Sequence, residues 1–293
     1  MSDIKKNNRT TEEIKNSLFP ALDMLLTILR IGSLPDEELN LRIRTLLKEY
    51  IDALDHEQEL RKRIGTVTFA DCPSIKLTEH DVINELSGNK ENIIILNKIA
   101  LQKLIPCDSP DISGTTLKRL EEKGYIAKVS VQTPMVTGEY YTLASKGGMC
   151  ISRKKLADKL IRSSNEIRVP MGLYHAPEKW SAAAFCKTAM ISAYFQAAGV
   201  MDYFIFFAPG KGNTAIGCEI SNAAEIRYIM AAVEEPNEIK QDISYIKNAV
   251  ASKEVAGIKI VCTRETYTCI MEAYPDISQN NKIEFELLRG VKE

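Results

Sequence analysis

Residues 113–131, SGTTLKRLEEKGYIAKVSV, decide how the rest of the chain is read. Ser113 is a residue type that caps helix N-termini. After it, Leu117 and Leu120 share one side of a helix, while Thr115, Lys118, Arg119 and Glu122 share the other. Gly124 stands where a helix can end in a left-handed residue without steric penalty. Beyond it Tyr125–Val131 alternates as a strand, Pro134–Gly138 turns the chain, and Glu139–Leu143 returns. The spacing predicts a short basic helix followed by a two-stranded hairpin.

Upstream of Ser113, prolines at Pro106 and Pro110, around Cys107, leave little room for a regular helix. An α-helix fits the major groove of DNA and a β-hairpin can lie along the backbone beside it. The stretch from Asn92 to Met149 resembles a winged helix-turn-helix domain. That resemblance implies that the helix carrying Lys118 and Arg119 is the recognition helix and that Ile93–Leu104 supplies the helices that brace it. Thr115, Thr116, Lys118, Arg119 and Lys123 are then expected to face the groove of double-stranded DNA, with Lys128 and the cluster Arg153, Lys154 and Lys155 on phosphates.

Charge is distributed in keeping with this. Residues 115–168 hold eleven Lys or Arg against five Asp or Glu, whereas the whole chain carries a net charge of −1. Residues 219–293 run the other way, with nine basic against thirteen acidic side chains. Clustered cations neutralise phosphates and give sequence-independent, salt-sensitive affinity. A solvated helix face is the alternative for Arg153–Arg162; its place directly after a hairpin favours nucleic acid.

At 293 residues and 45% hydrophobic content the chain is expected to form two or three globular domains. No segment approaches the ~18 uninterrupted apolar residues of a membrane span, and Met1–Thr11 lacks the apolar core of a secretory signal. A cytoplasmic protein without membrane insertion is expected. The seven cysteines are an odd set with no CxxC pair, which suits reduced, buried thiols. His56, His80 and His175 lie far apart, with no ligand-spaced cysteine beside them. No metal or cofactor is expected.

Three domains are expected. Residues 10–65 read as a helical hairpin: Thr10 and Glu13 have capping-box spacing, Pro20 bends or restarts the first helix, and Leu39, Ile43, Leu46, Leu47, Tyr50 and Leu54 recur in the second, which dissolves into the charged run Glu57–Arg63. Two amphipathic helices cannot bury their apolar faces alone, so a homodimer or a docking role is expected, with intramolecular packing the competitor. Thr66–Asn89 reads as a loop-rich link to a winged domain at 82–162, which ends in a helix, Ser152–Arg162. The proline- and glycine-bearing linker Ser163–Pro177 precedes a C-terminal α/β domain at 178–290. There the order is helix Glu178–Ala198, strands Met201–Ala208 and Thr214–Ser221, a helical stretch Ala223–Ala251 interrupted at Pro236, strand Gly257–Cys262, helix Glu265–Tyr274 and strand Lys282–Leu288. The fold class is α+β, with a mixed sheet in the last domain.

That element order is similar to restriction-endonuclease-like domains, whose paired metal carboxylates would correspond to Asp202 and Glu219. Two such acids can hold Mg²⁺ and activate water for phosphodiester hydrolysis. The lysine expected two residues beyond the second acid is replaced by Ser221, so a degenerate, non-catalytic domain is expected and an active nuclease is the alternative. Gly210-Lys211-Gly212 lacks phosphate-loop spacing and reads as a hairpin turn. Tyr203, Phe204, Phe206 and Phe207 read as sheet core rather than a stacking platform. His175, beside Trp180, has no evident nucleophile partner.

The combination is similar to replication-relaxation or mobilisation-accessory proteins of bacterial plasmids and integrative elements. The stretches that carry this are Thr116–Ile126, Glu139–Leu143, Ile216–Ser221 and Ile239–Tyr245. The resemblance implies a non-enzymatic DNA-binding protein at a replication or transfer origin, acting beside a relaxase, a replication initiator or a transfer-apparatus protein. An adaptor that binds protein through the winged module is the remaining alternative.

Overall fold

A computed structural model describes residues 11–30, 37–70, 86, 89–110, 112–152, 180–208, 213–219 and 226–287. They contain eight α-helices and two sheets, one antiparallel and one mixed, in two compact units, Met1–Arg61 and Lys62–Glu293.

The first unit is built from α1 (Thr11–Arg30) and α2 (Glu37–Ile64), which continues past the unit boundary. Its core is a short seam in which Leu18 and Ala21 of α1 meet Ile43 and Leu46 of α2, flanked by Leu22, Leu39 and Tyr50. The exposed Pro20 lies inside a continuous α1 and does not restart it, on a face where a freed carbonyl can turn to water. The expected dissolution of α2 at Glu57–Arg63 fails, since that run stays helical to Ile64. Thr10, of the expected capping box, lies outside the described residues.

In the second unit β1 (Thr66–Phe69), β2 (Ile105–Pro106), β3 (Ile126–Gln132) and β4 (Thr137–Leu143) form the antiparallel sheet, in the order β1-β3-β4-β2. Part of the expected loop at 66–89 is therefore β1, registered on β3 through Val67↔Val131. Helices α3 (Lys90–Gln102), α4 (Gly114–Glu122) and α5 (Ser145–Ser152) accompany this sheet. Leu96, Ile99, Leu117 and Leu120 of α3 and α4 close one core with Tyr125, Ile126, Tyr141 and Leu143. Between β2 and α4 the chain turns at Cys107–Pro110, as the two prolines predict.

The mixed sheet runs β5 (Tyr203–Phe207), β6 (Ala215–Glu219), β7 (Ile226–Ala231), β8 (Val255–Cys262) and β9 (Ile283–Leu287). The first three strands pair antiparallel and the last three parallel. The expected helical stretch 223–251 is corrected: Ile226–Ala231 is the central strand β7, and the helix α7 starts only at Pro236 and ends at Val250. Residues 220–225 lie outside the described set. With α8 (Arg264–Ala273), α7 covers one face of the sheet through Ile239, Ile243, Ile246 and Ile270.

Helix α6 (Ala182–Ala197) is the pivot of the second unit. Eleven of its sixteen residues are buried, which accounts for its lack of a polar stripe. Ala184, Met190, Ile191 and Phe195 pack on β5, β6 and β7. Phe185, Cys186 and Ala189 pack on Val129, Val131 and Tyr140 of the antiparallel sheet. One helix thus fills the space between both sheets. The described residues of the two domains expected at 82–162 and 178–290 belong to one unit.

Candidate nucleic-acid interface

Ser113 occupies the N-cap position of α4, but its side chain makes no capping hydrogen bond; only its carbonyl accepts, from Thr116 and Leu117 N–H. The first amides of α4 are left without a side-chain cap. A Cβ placed on Gly114 would meet nothing within 4 Å, so this end is open. The other end closes as the sequence predicts. Gly124 is left-handed (φ 70°), Tyr125 N–H donates to the Leu120 carbonyl and Gly124 N–H to that of Glu121, a paired C-terminal lock. Lys146, buried, donates from Nζ to the Lys123 carbonyl and lies 3.9 Å from the centre of the Tyr125 ring. It therefore serves the helix end rather than the solvent.

Thr115, Lys118, Arg119 and Glu122 form the outward row. Among the described residues Lys118 has no hydrogen-bond or ion-pair partner. Arg119 Nη2 donates to Asn92 Oδ1 at 2.8 Å, which ties one of its five N–H donors to α3. Thr116 departs from the expectation: it is buried and its hydroxyl donates to Glu91 Oε1 at 3.0 Å, so it braces α4 against α3 instead of facing outward. The cause is spacing, since Thr116 shares its face with the inward Leu117 and Leu120. Glu121 accepts from the Tyr141 hydroxyl, so one of the two acids of α4 is turned to the sheet. Lys123, the C-cap residue, is half-buried.

The hairpin is less free than a projecting wing. Val129, Val131 and Tyr140 are buried against α6, and Met135 at its turn is buried in the core formed with the mixed sheet. Thr133 holds that turn by accepting from the Met135 and Val136 amides. Lys128, expected on phosphate, pairs with Glu139 on the neighbouring strand at 2.7 Å, and that hydrogen bond raises its pKa. Arg153, Lys154 and Lys155 lie outside the described residues.

A second polar constellation had no evident signal in the sequence. Lys187 of α6, fully buried, donates to Glu238 Oε2 (2.8 Å) and to Asp242 Oδ1 (2.9 Å), and lies 2.7 Å from Asp242 Oδ2 without hydrogen-bond geometry. Thr214 donates to Asp242 Oδ1, Asn213 to Glu238 Oε1, and Ser181 to Asn213 Oδ1. Burial pushes the Asp242 carboxyl up to about 6, with Lys187 opposing. One cation between two carboxylates ties α6 to the first turns of α7. A lone lysine in an apolar run, and acids four apart on α7, are the only traces of this in the sequence.

The register Tyr203↔Glu219 sets Asp202, next to Tyr203, at the same sheet end as Glu219. Glu219 lines a cleft of about 280 Å³ with Tyr194, Arg227, Tyr228, Lys259 and Glu284. Lys259 is engaged there by Glu286 (3.1 Å) and Glu284 (3.8 Å), and Lys282 by the Val250, Ser252 and Val255 carbonyls between the end of α7 and the start of β8. Among the described residues no group of three or more His, Cys, Asp or Glu is placed to hold a metal, the six cysteines carry no disulfide, and no helix is long and apolar enough to cross a membrane. Ser221, Gly210, Lys211, Gly212 and His175 lie outside the described residues. Comparison of the chain with protein families, with curated proteins and with solved structures finds no match.

Proposed function

We propose that the chain binds double-stranded DNA through α4 in the manner of a winged helix-turn-helix protein. In this reading it is a non-enzymatic accessory or regulatory protein of plasmid or mobile-element replication or conjugative transfer, acting beside a relaxase, an initiator or a transfer-apparatus protein. The observation that carries the reading is the open outer face of α4, where Gly114 and Thr115 at its uncapped start and Lys118 and Arg119 further along are all exposed on a helix whose inner row is packed. Uncapped amides at a helix start attract anions, and the N-terminal residues of a recognition helix are those that reach base edges.

Fluorescence anisotropy with duplex DNA across a salt series tests this. Lys118→Ala removes one phosphate-neutralising charge and is expected to lower the log–log salt slope by about 0.9; adding Arg119→Ala lowers it by about as much again. Affinity and slope unchanged in the double variant would falsify the assignment, and tight protein binding without DNA affinity would favour an adaptor.

A second reading, a Mg²⁺-dependent nuclease, is favoured by one observation, the juxtaposition of Asp202 and Glu219 at one sheet end. It requires nicking of supercoiled plasmid in Mg²⁺ that Glu219→Ala abolishes.

A further inference from the structure

The first unit leaves an apolar row uncovered. On α2, Ile43 and Leu46 face α1, while Leu47 (38% exposed) and Ile51 (54% exposed) lie outside that seam. At 100° per residue, Arg44, Lys48 and Asp55 share the sector of Leu47 and Ile51, and all three are exposed. Within residues 44–55 the charges of that sector are ordered, with the cations Arg44 and Lys48 before Ile51 and the acid Asp55 after it. A helix with that order is complementary to an antiparallel copy of itself.

We infer that two copies of this chain pair through α2, antiparallel about a two-fold axis near residues 49 and 50, with Leu47 of each against Ile51 of the other and Arg44 of each facing Asp55 of the other. The register follows from the sequence numbers. In an antiparallel pair, level residues have equal index sums, and those of Leu47–Ile51 and Arg44–Asp55 agree to within one residue, about 1.5 Å of rise. The apolar and the charged contacts therefore form in one alignment. A parallel pairing would set like charges level with each other. Such an interface is isologous, so each contact occurs twice. The inference does not rest on the DNA-binding reading, and either can fail alone.

Sedimentation velocity of the full chain over a concentration series tests it. The wild type is expected to be a dimer. Arg44→Glu sets two acids against each other at both ends of the interface, and Asp55→Arg sets two arginines together at the same two places; each variant is expected to associate on the order of tenfold more weakly. Mixing the two variants leaves only opposite charges across the heterodimer, so the mixture is expected to regain wild-type association. Leu47→Gln with Ile51→Gln removes the apolar contact without altering charge or lowering helix propensity, and is expected to yield monomer with helical circular dichroism retained. A monomeric wild type, a dimer indifferent to all these variants, or a mixture no tighter than its components would each overturn the inference.

Discussion

Replacing Lys187 by Met tests the internal logic of the second unit most directly. Met keeps the length of the stem and removes the charge that holds Glu238 and Asp242. Those carboxylates are 8% and 2% exposed, so water cannot take over from the ammonium. Breaking a buried ion pair from one side typically costs about 3–5 kcal/mol, because an uncompensated charge is left behind. At ~2–4 °C per kcal/mol for a unit of this size, the melting temperature should fall by roughly 6–20 °C. The loss should depend on pH, and its sign can be worked out. The Asp242 carboxyl already sits near 6 instead of 3.8, so between those values the native state binds more protons than the unfolded chain and stability rises as pH falls. Without Lys187 the native pKa moves higher still and the window widens upward. Melting scans at about pH 7.5 and about pH 5 should therefore show a large deficit at the first and a smaller one at the second. Equal deficits at both, or a loss below about 1 kcal/mol, would mean that the three side chains are not a dry ion cluster.

Two further perturbations read other parts of the unit. Lys103, with φ 68° and its Nζ donating to the Ala100 carbonyl, is brought to about 7 by burial, so unfolding takes up a proton between about 7 and 10.5 and stability should rise with pH across that window. Lys103→Met, which keeps the stem, should flatten that rise in urea melts, and an unchanged pH profile would refute the assignment. Gly217 lets α6 approach β6: a Cβ there would lie 2.6 Å from Ile191 Cγ2 and from the Phe195 ring, so Gly217→Ala should cost about 1–3 kcal/mol in the same melts. A neutral result would show that α6 can move off the sheet.

Local chemistry made some of this fold legible and hid the rest. The α4–hairpin stretch was readable because caps and alternation act over a few residues: Leu117, Leu120 and Gly124 take the roles their spacing predicts, and β3 and β4 pair as expected. The strand β7 was hidden because it lies centrally in the sheet. Its Ile226–Ala231 run has no clean period of two, and alanine and methionine favour a helix on propensity alone. β1 was hidden by its length, four residues whose only support is the pairing with β3. Thr116 is the exception within that stretch: it lies about 40° from Leu120 around the helix, so the same spacing that turns Thr115 outward turns Thr116 onto α3. The ion cluster joins residues 51 and 55 positions apart, a range over which no periodicity operates.

The docked hairpin changes how a duplex could be met. If the turn at Met135 were free, the hairpin could lie along a groove and Lys128 could reach phosphate; with Met135 in the core and Lys128 on Glu139, the exposed cations described at this surface reduce to Lys118 and Arg119, with Lys123 half-buried beside them. Three phosphate contacts correspond to a log–log salt slope of about −3, at about 0.9 per contact. Residues 153–168 hold a further six Lys or Arg, which would carry the slope to roughly −8 if all were engaged. The slope thus distinguishes a helix-only contact from one extended by the segment after α5. A steep slope that survives loss of Lys118 and Arg119 would move the interface from α4 to that segment, while a shallow one that collapses with them would confine it to the helix.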